Sequence, residues 1–505
     1  MRLDVRDAVG SMAFIPGGRR PIATPIARRP LAGLVLSGLI AAPAIRDARA
    51  ERARDLYAGP LPPPQPMQGR VTALRVADFH GGHGINVHLQ NSRDYEDFEG
   101  RVRPALAELG IRRIRGSLPD RPAPIGWVNT LHERHGITLL SHAGANDFPA
   151  ARCIAIARKL VPGAVDGFEG SNEIDGWYQG FMQRQNRDGD AEAVRWQQEL
   201  RAARDADPRF AALPVGAPTV IDFRQSWRIA GSIPFNDRGT FHPYPGGQPP
   251  WLLGHGAAAT RDGETLRYGS LRYGATYAAN PLAPGQPFWA TELGYNTDPT
   301  GLDEGNHPCP EDIAALYMTG YGAYCLKNGL ERWYFYELLD EPLSRGRSNE
   351  AHFGLVRGDG SRKPGFHALR NTLALLRDDG REASGFTPAT LDLALSGDLS
   401  NPWAEEVTDG VVTCLLQDSV GTFFYGMQLG APLYDVVAKR RLEPPRPRRI
   451  TLSVAGGMEQ VALGDALRDG RWRQDGVTLL DGPRGRQAML EVGPGMRWLR
   501  FRRAG

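Results

Sequence analysis

The feature that most constrains this chain is an alternation, over residues 84–376, of short apolar runs with amphipathic stretches. A run that is apolar throughout buries both faces, as a strand does when helices cover a parallel sheet. Residues 84–89 (GINVHL) open the series, and 95–109 follow as a helix with Phe98, Val102, Leu106 and Leu109 at helical spacing. Further strands are expected at 111–116, 137–142, from Val165, and at 215–218, 239–242, 288–291 and 332–336. Between them lie helical stretches at 127–135, 150–160, 191–205 and 313–327, a polar insert at 179–190, and a closing helix at 365–376. Eight strands, each followed by a helix or loop, within about 300 residues give an α/β fold, the (β/α)8 TIM barrel. Functional groups in that architecture collect at the carboxyl ends of the strands.

The texture changes near Pro388. Short runs at 391–395, 410–417, 420–428, 449–454, 478–480, 489–492 and 497–502 are separated by Gly, Pro, Asp and Asn, with no comparable helical period. That is the pattern of a C-terminal antiparallel β-sandwich. The expected organisation is an export signal over 1–50, a Pro-rich linker over 51–69 that does not pack, the barrel over 70–380 and the sandwich over 381–505.

Charge supports the reading of the leader. Residues 1–50 hold eight Arg, no Lys and three Asp, and the remainder has 52 basic against 54 acidic residues. A nearly neutral body argues against nucleic acid or an anionic membrane surface as partner. In the leader, the pairs Arg19–Arg20 and Arg28–Arg29 precede an apolar run at 31–45, and Ala48, Arg49 and Ala50 supply an A-x-A cleavage pattern. The run is too short and too rich in Ala and Gly for a membrane span. Arg28 and Arg29 resemble a twin-arginine signal lacking its flanking polar residue, so Sec export stays open, as does a start at Met12. Either route leads to a periplasmic or secreted protein. Four cysteines follow the leader, Cys153, Cys309, Cys325 and Cys414, without the spacing of a zinc site. Cys309 and Cys325 are placed either to pair in an oxidising compartment or to remain buried thiols.

Two strand ends carry the chemistry. The stretch 165–177, VDGFEGSNEIDGW, breaks from an apolar run into Asn172 and Glu173, and 287–295, PFWATELGY, ends in Glu292. A pair of carboxylates at two strand ends suits general-acid and nucleophilic work on a glycosidic bond. Glu169, Asp175, Glu337 and Glu341 are rival carboxylates, but none combines a strand end with a preceding Asn. Taken with Arg115, His142, His242 and Tyr244 (FHPYP) and Trp333, the order and spacing resemble the clan A glycoside hydrolases, the retaining β-glycosidases that include families 5 and 39. The resemblance covers residues 84–376.

That resemblance implies Glu173 as acid/base, Glu292 as nucleophile, and Arg115, His142, Asn172, His242, Tyr244 and Trp333 as substrate-binding residues. It implies a carbohydrate substrate, with no cofactor and no metal; a monomer is expected. Physically, Arg115 and the Tyr244 phenol favour an ionised Glu292. Asn172 would meet the sugar 2-hydroxyl, the two histidines would hold hydroxyls or orient the acid, and Trp333 would lie under the reacting ring. Each has a structural alternative: Arg115 in an ion pair elsewhere, the histidines in the core, Trp333 as barrel filling. A shift along RWYFYELLDE puts Tyr336 or Glu337 in the place of Trp333. Trp177, Tyr178, Trp227, Trp251 and Tyr295 fall in the loops after strands four to seven, where they serve as sugar platforms or as packing. As platforms they favour endo cleavage of a polysaccharide. A catalytically silent polysaccharide-binding barrel and a transglycosylase are the rival readings. The sandwich is read as a cap on the barrel, with glycan binding as its alternative.

Overall fold

The computed structural model describes residues 58–504 except 179–187, 253–259, 262–263, 266–270, 302–305, 347, 379, 381 and 404–408. The expected export signal and most of the polar insert lie outside the described residues.

Eight parallel strands form the central sheet: β1 (His83–Asn86), β2 (Arg113–Ser117), β3 (Thr138–His142), β4 (Val165–Glu169), β5 (Val215–Gly216), β6 (Gly239–Phe241), β7 (Phe288–Leu293) and β8 (Leu330–Phe335). Their order is β5-β4-β3-β2-β1-β8-β7-β6, and a parallel bridge from Gly216 to Arg238 closes the ring. Each expected strand is present to within a few residues. β5 is short because the chain turns at Pro218 into a wound segment, Phe223–Phe235, instead of a regular helix.

The barrel interior is stacked in layers. At the bottom, Arg113 Nε donates to Asp166 Oδ2 at 2.9 Å and Arg332 Nη1 to Asp166 Oδ1 at 3.2 Å. Leu140, Trp289 and Tyr334 form a fully buried apolar layer above them. Gly84 has to be Gly, because a Cβ there would collide with the Tyr334 ring. Arg115, Glu169 and Asn86 come next, at the carboxyl end. Side chains alternate along a strand, so with Arg332 and Tyr334 inside, Trp333 faces out. It is fully buried beneath helix Val76–Gly82, 4.7 Å centroid to centroid from His83. In β7 strict alternation from the inward Trp289 would turn Glu292 outward. The pairing with β8 shifts between Ala290 and Leu293, and this irregularity lets Glu292 face the pocket.

The sandwich stacks two sheets, antiparallel except where Leu74–Arg75 joins in parallel, on a core that includes Leu393, Leu415, Tyr425, Leu452, Leu490 and Phe501. Its first strands precede the barrel. Gly69–Thr72 pairs with Thr390–Gly397, and Leu74–Arg75 pairs with Val411–Gln417. The expectation that residues 51–69 do not pack is therefore corrected for their latter part: Leu61 is buried, and Gln65 Nε2 donates to the Leu415 carbonyl at 3.0 Å while Leu415 N donates back to Gln65 Oε1 at 2.8 Å. An amide side chain that satisfies two backbone groups of a strand orders a segment that composition alone marks as loose.

Helix Glu311–Lys327, between β7 and β8, joins barrel and sandwich. It is buried on nearly every side, as a helix apolar around its whole circumference must be. Gln428 Nε2 donates to the Leu316 carbonyl at 3.0 Å, and Met496 N donates to Thr319 Oγ1 at 2.8 Å. Cys309 and Cys325 are buried free thiols, as are Cys153 and Cys414.

Candidate active site

The residues at the carboxyl ends of the strands converge on Glu292 and Glu173. Arg115 is buried between two carboxylates: Nη1 donates to Glu292 Oε1 at 2.6 Å and Nε to Glu169 Oε2 at 2.5 Å. The same guanidinium donates from Nη1 to Asn86 Oδ1 at 2.9 Å and from Nη2 to Asn172 Oδ1 at 2.8 Å. The second Glu292 oxygen accepts from the Tyr244 hydroxyl at 2.6 Å. His242 Nδ1 lies 2.8 Å from Glu173 Oε1 and 3.7 Å from Glu292 Oε2. An oxygen of Glu173 and one of Glu292 are within 4.8 Å of each other. The Glu173 side chain keeps 30% of its surface exposed and that of Glu292 only 10%, so Glu173 stands nearer the mouth.

Glu173 sits at φ +45, one of three non-glycine residues described with positive φ. That region is disfavoured for a side chain bearing a Cβ, and such strain gathers where function needs it. The turn is clamped to the loop after β5: Glu173 N donates to Thr219 Oγ1 at 2.9 Å, Ile174 N to the Thr219 carbonyl at 3.0 Å, and Thr219 N to the Ser171 carbonyl at 3.0 Å.

Electrostatics hold Glu292 ionised. Burial alone would raise the pKa of Glu292, but the charges of His242 and Arg115 and the Tyr244 hydrogen bond outweigh it and hold the carboxyl at about 2. Burial lowers His242, yet the charge of Glu292 and the contact with Glu173 prevail and raise it. His142 closes β3 beside them; burial, reinforced by the charge of Arg115, drops it well below its ordinary range and keeps the ring neutral. On the turn Asn349–His352, Glu350 is pushed up to about 7 by burial and by the charges of Glu173 and Glu292, against the pull of Arg345.

A second cluster adjoins the first. His88 Nδ1 lies 2.7 Å from Glu341 Oε1 and 3.0 Å from Glu337 Oε2, the Tyr95 hydroxyl donates to Glu337 at 3.2 Å, and Arg345 Nε donates to Glu341 at 2.8 Å. Burial and the neighbouring Glu341 push Glu337 up to about 8; His88 and Arg345 bring Glu341 down to about 2 against its own burial. Burial would lower His88, but the two carboxylates raise it to about 10. This trio and the trio Glu173, His242 and Glu292 each bring three metal-ligating atoms within 4.8 Å. Donors around a zinc ion at about 2.1 Å stand about 3.4 Å apart. The imidazole–carboxylate distances of 2.7 to 3.0 Å in these groups are those of hydrogen bonds.

Seven of the eight residues singled out in the sequence thus come together; Trp333 does not. Three residues on, the Tyr336 ring lies beside the site, meeting Tyr244, Phe353 and His88 edge-on at 6.0, 5.5 and 5.5 Å. Trp251 and Tyr295 also leave the cleft. Trp251 Nε1 donates to the Gly430 carbonyl at 2.8 Å, and Tyr295 packs on Tyr317 and Tyr321. Sequence reasoning missed Asn86, whose signal was only its place at the end of β1, and Thr219, which no spacing marks.

Neither a protein-family model nor a curated protein sequence matches the chain. Its fold is similar to those of solved glycoside hydrolases. A family 39 glycoside hydrolase from Bacteroides cellulosilyticus WH2 aligns with a TM-score of 0.52 at 14% identity, over 84% of this chain and 81% of that one. A GH51 arabinofuranosidase from Xanthomonas axonopodis pv. citri aligns at 0.51 and 11% identity, over 85% and 98%. A monomeric beta-xylosidase from Caulobacter crescentus CB15 aligns at 0.53 and 13% identity, over 86% and 98%.

Proposed function

We propose that the protein is a retaining glycoside hydrolase acting on a β-linked carbohydrate, with Glu292 as nucleophile and Glu173 as acid/base. A fold alone does not fix an activity, so the reading rests on the site. The observation that carries it is the approach of Glu173 and Glu292 to within 4.8 Å, with Arg115 and Tyr244 both donating to Glu292, the more buried of the two. Retaining enzymes hold their carboxyl groups about 5 to 5.5 Å apart, whereas inverting ones leave about 6.5 to 9.5 Å for a water.

In the first step Glu292 attacks the anomeric carbon while the glycosidic oxygen departs with a proton from Glu173. The contact with His242 orients Glu173, and its exposed position suits delivery of a proton to the leaving oxygen. A water then displaces Glu292 as Glu173 takes a proton back. Asn172, fixed by Arg115 Nη2, turns its amide donor to the sugar 2-hydroxyl. The endo preference loses Trp251 and Tyr295 as support. We further propose export directed by residues 1–50, which amino-terminal sequencing of the protein from the medium or periplasm would test.

Two variants test the mechanism. Glu292→Ala should abolish hydrolysis of every activated aryl β-glycoside in a panel that the parent cleaves, with the fold intact; retained activity would remove the nucleophile assignment. Glu173→Ala should impair substrates with poor leaving groups more than activated ones, and equal losses on both would remove the acid.

A further inference from the structure

We propose that Glu169 is a positioning residue: it aims the Arg115 guanidinium so that Glu292 and Asn172 each meet one of its nitrogens, and it offsets the cation that Glu292 would otherwise face alone. The inference rests on the function proposed above and deepens it. Glu169 closes β4 and is fully buried beneath Glu292 and Asn172 on the shared guanidinium.

Geometry gives the first part. A guanidinium is a rigid planar fork, so fixing Nε through the 2.5 Å contact with Glu169 Oε2 also sets the directions of Nη1 and Nη2. Those two nitrogens reach Glu292 Oε1 and Asn172 Oδ1. Asn86 locks the arrangement from β1: its Oδ1 accepts from Nη1, and its Nδ2 donates to the Thr291 carbonyl at 3.1 Å, next to Glu292 in the chain. Arginine–carboxylate pairs frequently use both carboxylate oxygens. Glu169 uses one; its Oε1 is buried without a hydrogen-bond partner among the described residues. The fork's other edge is turned toward the reacting groups.

Charge gives the second part. Arg115 and its two carboxylates together bear one net negative charge, and Glu292, the member nearer the cleft, keeps it for bond formation. With Glu169 neutral, Arg115 and Glu292 would form a closed pair, and attack on the anomeric carbon would have to draw the carboxylate away from an unopposed cation.

The test is Glu169→Gln, which keeps the size and an acceptor oxygen and removes the charge. On an activated aryl glycoside, kcat should fall about 10- to 100-fold, as when carboxylates that orient metal ligands from behind are removed, with KM changed by less than about threefold. Glu169→Asp keeps the charge but falls short by one methylene, so it should recover part of the loss. A folded Glu169→Gln with kcat within about twofold of the parent overturns the inference. If Glu169→Gln does not fold, Glu169→Asp decides: parental kcat overturns the inference and a selective loss of kcat upholds it. Glu292→Ala is measured alongside. Activity surviving in that variant refutes the proposed function itself, whereas a dead Glu292→Ala beside an unimpaired Glu169→Gln refutes only the role of Glu169.

Discussion

Tyr244→Phe removes one atom from the site and isolates one hydrogen bond. The hydroxyl donates to Glu292 Oε2 at 2.6 Å within buried surroundings. A hydrogen bond to a charged group contributes about 1.5 to 3 kcal/mol, and one pKa unit corresponds to about 1.4 kcal/mol. The bond favours the ionised carboxyl, so its loss raises the pKa of Glu292 by about one to two units. Glu292 stands at about 2 in the intact site, and with Arg115 and His242 still in place the variant should titrate near 3 to 4, by that increment. The assay is the pH dependence of kcat/KM on an activated aryl glycoside, whose acidic limb reports the nucleophile of the free enzyme. That limb should move upward in the variant, with kcat/KM on the plateau reduced about tenfold because the carboxylate loses one of its two holds. An unmoved limb in a folded variant, or one displaced to lower pH, would refute the assignment of Glu292 as the group that Tyr244 keeps ionised.

Further predictions concern the frame around this pair. Arg115→Met should lower the unfolding free energy in urea by about 3 to 5 kcal/mol, because it removes the cation buried between Glu169 and Glu292; a loss under about 1 kcal/mol would mean that the carboxylates find other partners. Trp333→Ala should cost about 3 to 5 kcal/mol of stability and leave KM unchanged, whereas Tyr336→Ala should raise KM; the opposite pattern would restore Trp333 to the cleft. His88 and Glu337 are raised in the folded protein to about 10 and about 8. The unfolded chain releases these protons near 6.5 and 4.5, so their stabilisation is complete below those values and is lost as pH rises through about 8 and then 10. The melting temperature should therefore decline from neutral pH to pH 10, by the same linkage, and more steeply in the parent than in His88→Gln; a parallel decline in the two would dissociate His88 from the effect.

The barrel was legible because strands buried on both faces leave uninterrupted apolar runs, and all eight are where those runs lie. The segment before the barrel was not: Gly69–Thr72 and Leu74–Arg75 are too short to show a period, and their partners lie more than three hundred residues away. Glu292 could be found because it stands at the end of β7, and Glu173 because the apolar run of β4 breaks just before it, although β4 itself ends at Glu169. Trp333 was misplaced because alternation gives the period of a strand but not its phase, and only Tyr334 packed on Trp289 fixes the phase of β8. Glu292 itself lies past a break in that alternation which no residue type announces. Glu169 was visible only as a rival acid, since its meaning depends on the guanidinium it shares with Glu292.

The most direct measurement is inactivation by a panel of activated 2-deoxy-2-fluoro-β-glycosides, followed by mass spectrometry of the peptides. A covalent glycosyl intermediate predicts one sugar per chain, attached to Glu292, accumulating in step with the loss of activity. A label on any other residue, or turnover of the parent glycosides with inversion and no label, would contradict it.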